Sequence, residues 1–527
     1  MKAIILAAGI GTRIGDKAQF FNKSLLKIGN QAAISHIIDY FPADCEFIIV
    51  TGYLYSIVEQ YIAIAHPNIN VRFIRQENNI KGPGDALLLC EEHLNEPFFI
   101  WCCDTLVDNP SLDESSNWIG YARTNGSLEE YSCIAFSPND RIITDFHEKG
   151  EFYTQNAFIG CAFVKDYFSF VHNLKHNPLF INEQYHISAG FRGLLNDKKV
   201  IKAKEFTWHD IGSLTKLQET KQHFKSKIEN LDKVDEEIYF LKDRAIKYFY
   251  NSETIKNRHT KSKVLKGFVP TVIDCSDNFY SYKYIEGVDL FDKSVDIASV
   301  LSHLLETLWK SELWKEKTLD PDEYMRFQNA CVNFYYKKTK GRLEQFYKKL
   351  NVTDSVNIIN GENVPKLKDM LSVLSWQKIL SGKPCLMHGD MALSNIIVQS
   401  KEGKLDFTLI DFRHDFGGIV EYGDFYCDLA KIYATLLFPF DIIKEKRFHI
   451  DIAERVVSYE IEKMEFDRYE SAKFSFFAWL ASKNIDIKKI KQLTSIILLN
   501  MSPLHEAPLD SLLYYLGKYE MFKSLKE

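Results

Sequence analysis

The chain has 527 residues, of which 46% are hydrophobic and 26% charged; this exceeds what one hydrophobic core usually serves, so two or three domains are expected. A formal net charge of -6 leaves no electrostatic footprint for nucleic acid or an anionic membrane, and the apolar content excludes a disordered chain. The ten cysteines are scattered, with Cys102 and Cys103 side by side in an apolar run, so neither a zinc site nor a disulfide framework is expected.

Met1 leads directly into the strand-like run KAIIL without a basic region and cleavage site, which predicts a cytoplasmic protein. The longest apolar stretches, PFFIWCC at 97–103 and FSFFAWLA at 474–481, are too short to span a bilayer. From residue 1 to about 215, apolar runs (KAIIL, EFIIVTG, VRFIR, PFFIWC) alternate with segments of helical periodicity such as QAAISHIIDYF and SIVEQYIAIA, a pattern that predicts a parallel α/β sheet. A charged helical stretch at 216–237 reads as a connector. Four strand-rich runs follow (EIYFL, RAIKYFY, TVIDC, FYSYKYIEG), then a long region of mainly helical pattern to Glu527. The expected division is residues 1–225, a connector at 226–237, and 238–527, with no internal repeat.

The run KAIIL opens into AAGIGTR, where Gly9 and Gly11 allow a sharp turn and close approach to a triphosphate while Arg13 adds charge. Lys23 follows in NKSLL, and Gly82, Pro83 and Gly84 form a small-residue turn before a helix. Asp104 ends the run FFIWCCD, a position at the carboxyl edge of a buried strand that suits Mg²⁺. The order LAAGIGTR, NKSLL, GPGDA, Asp104 is similar to that of the sugar-phosphate and phosphocholine nucleotidyltransferases over roughly 1–215. That resemblance implies a Rossmann-like, GT-A-like domain in which Gly9, Gly11, Arg13 and Lys23 grip the triphosphate and Gln76 and Gly82 hold the base. It also implies that Asp104 and Asp210 of WHDIGS bind Mg²⁺, and that Glu148 and Lys149 of FHEKGEF meet the acceptor. Asn22 stands where the family usually has proline. The implied reaction is attack of a phosphate monoester on the α-phosphorus of a nucleoside triphosphate, with CTP favoured and pyrophosphate released.

In the second half, HGDMALSN places Asn395 five residues after Asp390, the spacing of a kinase catalytic loop, and FTLIDF then brings Asp411. These read as the base that orients an acceptor hydroxyl and as two Mg²⁺ ligands. With GDFYCDLAK beyond them, the set resembles the aminoglycoside phosphotransferase and choline kinase superfamily, roughly over 238–440, and implies a bilobal protein-kinase-like domain. The resemblance assigns Lys247 of RAIKYF to the ATP phosphates, the backbone around Tyr284 to Glu286 to the adenine, and Asp428 to bracing the catalytic loop. No glycine-rich loop precedes Lys247, and the following helix offers only Glu253 near its start as an ion-pair partner. Arg413 in DFRHDFGG stands either beside the reacting phosphates or acceptor, or paired with Asp415 or Asp424.

Together the two resemblances imply a bifunctional enzyme. The kinase uses ATP to phosphorylate a small alcohol, a sugar or polyol, and the nucleotidyltransferase activates the phosphate monoester as a precursor for surface polysaccharide. One alternative is a choline or ethanolamine kinase fused to a phosphocholine cytidylyltransferase. The other is a nucleotidyltransferase carrying a non-catalytic kinase-like binding module.

Overall fold

The computed structural model describes residues 1–527 apart from 78–80, 126–129, 152–153, 182, 226–233, 402–403 and 463–465. The chain divides into two compact units, Met1–Ser252 with Asp274–Ser281, and Glu253–Ile273 with Tyr282–Glu527.

In the first unit the run KAIIL becomes the strand Lys2–Ala7 at the centre of a nine-stranded sheet. It can sit there because both its faces are apolar: Ile5 and Ala7 enter the core on one side, Ile4 and Leu6 on the other. Strands Asn70–Arg75, Glu46–Thr51, Lys2–Ala7 and Phe98–Cys102 lie side by side and parallel, with Ile4 opposite Ile48 and Ile5 opposite Trp101. Helices Ala33–Asp39 and Tyr55–Ala65 form crossovers between them. The order reverses at Lys2–Ala7, since its two neighbours are reached by connections leading in opposite directions. Such a switch point opens a crevice at the carboxyl ends of the strands.

The sheet is mixed rather than wholly parallel as the sequence pattern predicts. Asn156–Val164 runs antiparallel to Phe98–Cys102 and to Asn117–Arg123, and Cys133–Phe136 pairs antiparallel with Ile143–His147. A link as short as that between Phe136 and Ile143 leaves no length for a parallel crossover, so the pair closes as a hairpin.

The expected boundary at 226–237 also differs from the packing. Its residues 226–233 lie outside the described residues, and the helix before them is Leu214–His223. Strands Glu236–Leu241 and Arg244–Phe249, expected to open the second half, belong to the first unit. Their aromatic side chains explain why. The Tyr239 hydroxyl donates to Leu25 O at 2.7 Å, the Tyr248 hydroxyl to Phe20 O at 2.5 Å, and the Phe240 amide to Asn30 O at 2.7 Å. Tyr239 and Phe279 both pack on Tyr61, and Tyr248 packs on Phe21.

The second unit is largely helical. Ile297–Trp309, Phe425–Leu437, Phe466–Ser482 and Ile487–Met501 each contribute at least five buried residues to its core. The hairpin Ile396–Lys401 and Lys404–Leu409 lies between the segment HGDMALSN and Asp411. A second small sheet, of Glu362–Val364, Asn357–Ile359, Val456–Ile461 and Phe448–Ala453, interrupts what reads as helical sequence. Among the described residues no helix is long and apolar enough to cross a membrane.

Candidate active sites

The first site collects at the carboxyl ends of Lys2–Ala7 and Phe98–Cys102. Gly11 adopts a left-handed conformation (φ 70°) that turns the chain into the 3-10 segment Thr12–Gln19, and a Cβ there would stand 3.3 Å from Lys23 Cβ. Asn22 is fully buried and acts as a clamp. Its amide nitrogen donates to Ala7 O and Tyr53 O, and its Oδ1 accepts from the Ser24 amide and hydroxyl. The strand end and the NKSLL turn are thereby tied together, which fixes the approach of Lys23.

Lys23 is 8% exposed, and its Nζ lies 2.5 Å from Asp104 Oδ2. Burial works against the charge of Lys23, yet Asp104 beside it holds the ammonium above its ordinary range; burial likewise opposes ionisation of Asp104, and Lys23 overcomes it. Asp210 completes the group. A Cβ on Gly212 would lie 2.8 Å from Asp210 Oδ1 and 3.5 Å from Lys23 Nζ, so Lys23, Asp104 and Asp210 converge. Burial and then the charge of Asp104 push the Asp210 carboxyl above the usual range, the signature of a carboxylate pair that lacks a full complement of positive charge. Hard oxygen donors so arranged fit Mg²⁺. Sequence reading passed over Tyr131, whose hydroxyl donates to Asp210 Oδ2 at 3.3 Å. Nothing in its neighbourhood, next to 126–129, signals that role.

Arg13 is exposed on the 3-10 segment. The Gln76 side-chain nitrogen donates to Gly82 O at 3.1 Å and Asp85 Oδ2 at 2.9 Å, so Gln76 buttresses the GPGD turn. That turn requires its glycines: Gly82 has φ 90°, and Cβ atoms on Gly82 and Gly84 would meet Tyr185 O at 2.7 Å and His186 O at 2.9 Å. Glu148 and Lys149 part company. Glu148 is 1% exposed and accepts from the Ser132 hydroxyl at 2.6 Å, with His186 Nδ1 at 3.5 Å. Burial acts to raise its carboxyl, and these donors hold it below the usual range. Lys149 is exposed on the following turn, where it feels the charges of Arg13, Asp104 and Asp210.

The second site is built on the segment after strand Pro384–Cys385. Asp428, buried on helix Phe425–Leu437, accepts from the Gly389 amide at 2.6 Å, the His388 amide at 3.0 Å and Trp314 Nε1 at 3.1 Å. These bonds hold the loop from beneath; burial nevertheless pushes the Asp428 carboxyl up to about 6. His388 is also buried, and burial pushes its imidazole down to about 3, so it stays neutral. Asp390 pairs with Lys431 Nζ at 3.0 Å, one helical turn beyond Asp428. Burial opposes ionisation of Asp390, and Lys431 holds the carboxyl below the usual range.

Asn395 closes the loop by donating from Nδ2 to Asp390 O at 2.9 Å, which leaves its Oδ1 for a cation. The Ile410 amide donates to Asn395 O, which brings Asp411 alongside. Asp411 is held at φ 59°, a left-handed conformation that side-chain-bearing residues adopt at a cost of about 1 kcal/mol and that gathers at functional positions. Asn395 Oδ1 and the Asp411 carboxylate are a donor set suited to Mg²⁺. Arg413 forms no ion pair with Asp415 or Asp424 among the described residues. Asp424 accepts from Tyr335 and the Lys383 amide, and Asp415 from the Gly418 amide. Lys247 is 5% exposed at the middle of Arg244–Phe249, within the first unit, whereas Tyr284 and Glu286 are exposed in the second. Glu286 O accepts from Gln399 Nε2 at 2.7 Å.

Residues 3–115 match the MobA-like NTP transferase domain. The chain is 25% identical over 237 residues to the bifunctional protein GlmU of Methanococcus maripaludis, covering 43% of this chain and 55% of that protein. It is 24% identical over 232 residues to a mannose-1-phosphate guanyltransferase of Schizosaccharomyces pombe, covering 40% and 61%. It is 28% identical over 116 residues to a bifunctional IPC transferase and DIPP synthase of Archaeoglobus fulgidus, covering 22% of each. The chain thus spans less than two thirds of these relatives, and the similarity lies in an NTP transferase domain.

Proposed function

We propose that the chain is a bifunctional transferase, in which the second unit phosphorylates a small alcohol with ATP and the first couples the resulting phosphate monoester to a nucleoside triphosphate. The observation that carries the first activity is the convergence of Lys23, Asp104 and Asp210 at the carboxyl ends of the central strands, below the Gly9–Gly11 turn. Mg²⁺ bound by Asp104 and Asp210 supplies charge neutralisation at the triphosphate. Lys23, released from its ion pair as the nucleotide enters, neutralises the α-phosphate and the attacking phosphate, and Arg13 and Lys149 add positive charge from the rim. An oxygen of the phosphate monoester forms the new bond to the α-phosphorus as the bond to the β-bridging oxygen breaks, and pyrophosphate departs. The monoester is already anionic at neutral pH, so no covalent nucleophile is required.

In the second unit the reading rests on the trio Asp390, Asn395 and Asp411, with Mg²⁺ held by the latter two. Lys431 keeps Asp390 ionised, ready to accept a hydrogen bond from the acceptor hydroxyl. The hydroxyl oxygen attacks the γ-phosphorus, its proton passes towards Asp390, and ADP leaves. Tyr284 to Glu286 are proposed for the adenine, whereas Lys247, which the resemblance assigns to the ATP phosphates, belongs to the first unit and is given no role in the second. A kinase makes the monoester that a nucleotidyltransferase consumes, so the two steps are consecutive, with CTP the favoured second nucleotide and an activated polysaccharide precursor the product. A screen tests this: each nucleoside triphosphate with phosphate monoesters, and ATP with alcohols, reading pyrophosphate and ADP separately. Pyrophosphate release greatest with CTP is expected, and a clear preference for UTP or dTTP overturns that choice of base.

A further inference from the structure

Resting on the kinase reading of the second unit, we propose that its acceptor is an anion: an alcohol that also carries a carboxylate or a phosphate, held beside Asp390 by Arg413, Lys338 and Arg342. Lys338 and Arg413 both stand over one aromatic ring. Lys338 Nζ lies 4.5 Å and Arg413 Cζ 4.8 Å from the centre of the Phe334 ring. Phe334 sits in the π-helical turn Val332–Lys337, a helix irregularity that recurs at functional positions, and Lys338 and Arg342 follow one turn apart on Lys338–Leu350.

The loop bearing Arg413 is pressed onto the same region. A Cβ on Gly417 would lie 2.3 Å from Ala330 O, and one on Gly389 would lie 2.8 Å from Arg413 Cβ. The Arg413 amide donates to His388 O at 3.0 Å, so its side chain leaves the backbone immediately beside the catalytic loop.

Positive charge here is not balanced. Among the described residues Lys338, Arg342 and Arg413 form no ion pair with a carboxylate, and Asp390, the carboxylate of the catalytic loop, is already engaged by Lys431. Arg413 Nε is buried without a hydrogen-bond partner. Lys261, fully buried on helix Ser252–Val264, also has no hydrogen-bond partner for its Nζ, and it feels the charge of Asp428 and then that of Arg413. Burial and then the charges of Arg413, Arg342 and Lys431 push Lys338 down to about 7, and burial with Arg413 lowers Arg342. Half-buried cations that repel one another persist where an anion compensates them.

This surroundings is hostile to a quaternary ammonium acceptor such as choline, which wants an aromatic face beside a carboxylate. Here the Phe334 ring is already taken by two cations.

The test uses the full chain with Mg²⁺ and a non-hydrolysable ATP analogue, titrated calorimetrically with glycerate, glycerol 3-phosphate, glycerol and choline. Glycerate or glycerol 3-phosphate is expected to bind at least about tenfold more tightly than glycerol or choline, and the better of the two names the anionic group. Lys338→Met and Arg342→Gln should each weaken that binding about tenfold or more and leave affinity for the ATP analogue within about twofold. Equal or tighter binding of glycerol or choline, or binding of neither anion, overturns the inference. So does a loss in these variants that falls on the ATP analogue, since the cations then serve the nucleotide. The kinase reading fails on a different result, the absence of ADP formation from ATP with every alcohol in the wider screen.

Discussion

Asp390 and Asp411 lie on the same short stretch of chain yet should fail differently when altered. In the proposed kinase reading Asp390 meets the acceptor hydroxyl, so Asp390→Asn is expected to bind Mg²⁺ and ATP normally and to lose about 10²–10⁴-fold in phosphoryl transfer. Asp411 is the proposed metal ligand, so Asp411→Asn should lower Mg²⁺-dependent ATP affinity along with the rate. Calorimetric titration of ATP with and without Mg²⁺ separates the two, and near-normal turnover by Asp390→Asn would make the second unit a binding module. His388 gives a pH test at the same loop. Its folded-state pKa is pushed down to about 3 by burial from an ordinary value of 6.5. Stability from the neutral imidazole is therefore present above pH 6.5 and is lost as pH falls towards the folded value, by about 1.4 kcal/mol per pH unit within that window. Urea midpoints of the native chain should fall between pH 6.5 and 5 more steeply than those of His388→Gln; parallel curves would contradict the burial argument.

At the scale of elements, the GPGD turn and the two strands beyond the connector carry the sharpest expectations. Gly82→Ala forces a Cβ to within 2.7 Å of Tyr185 O at φ 90°, so the turn must shift. A cost of about 1–3 kcal/mol in stability and weaker nucleoside triphosphate binding are expected, read by thermal unfolding and calorimetry. The individual motifs were legible in the sequence because their chemistry is local: a glycine turn after a strand, a carboxylate at a strand end, an Asp and Asn five apart. Partners distant in sequence were not. Nothing near Lys338 or Arg342 announces that they lie near Arg413, and Asp415 and Asp424 look equally good as partners of Arg413 until their actual hydrogen bonds are seen. Likewise the hairpin Phe448–Ala453 and Val456–Ile461 was hidden within sequence of helical appearance. Its first strand, FHIDIA, does alternate apolar and polar residues, but the run is short and is flanked on both sides by segments of helical pattern.

For the whole molecule, the strand propensity of EIYFL and RAIKYFY predicted strands correctly but not the unit that receives them, because propensity says nothing about which core an aromatic ring enters. Tyr239, Leu241, Ile246, Tyr248 and Phe279 are each no more than 7% exposed and all pack in the first unit's core. At about 1.5–3 kcal/mol per large apolar side chain their burial is worth on the order of 10 kcal/mol, comparable to the entire stability of a domain. A fragment of residues 1–225 should therefore melt far below a fragment of residues 1–281, and equal melting temperatures would contradict the shared core. The most direct measurement of the central claim compares pyrophosphate and ADP release from Lys23→Ala and Asp390→Asn in the full chain, using the substrates found in the screen. Lys23→Ala should lose pyrophosphate release and keep ADP formation within a few-fold of normal, and Asp390→Asn should do the reverse. Loss of both activities in either folded variant would contradict two separate catalytic sites.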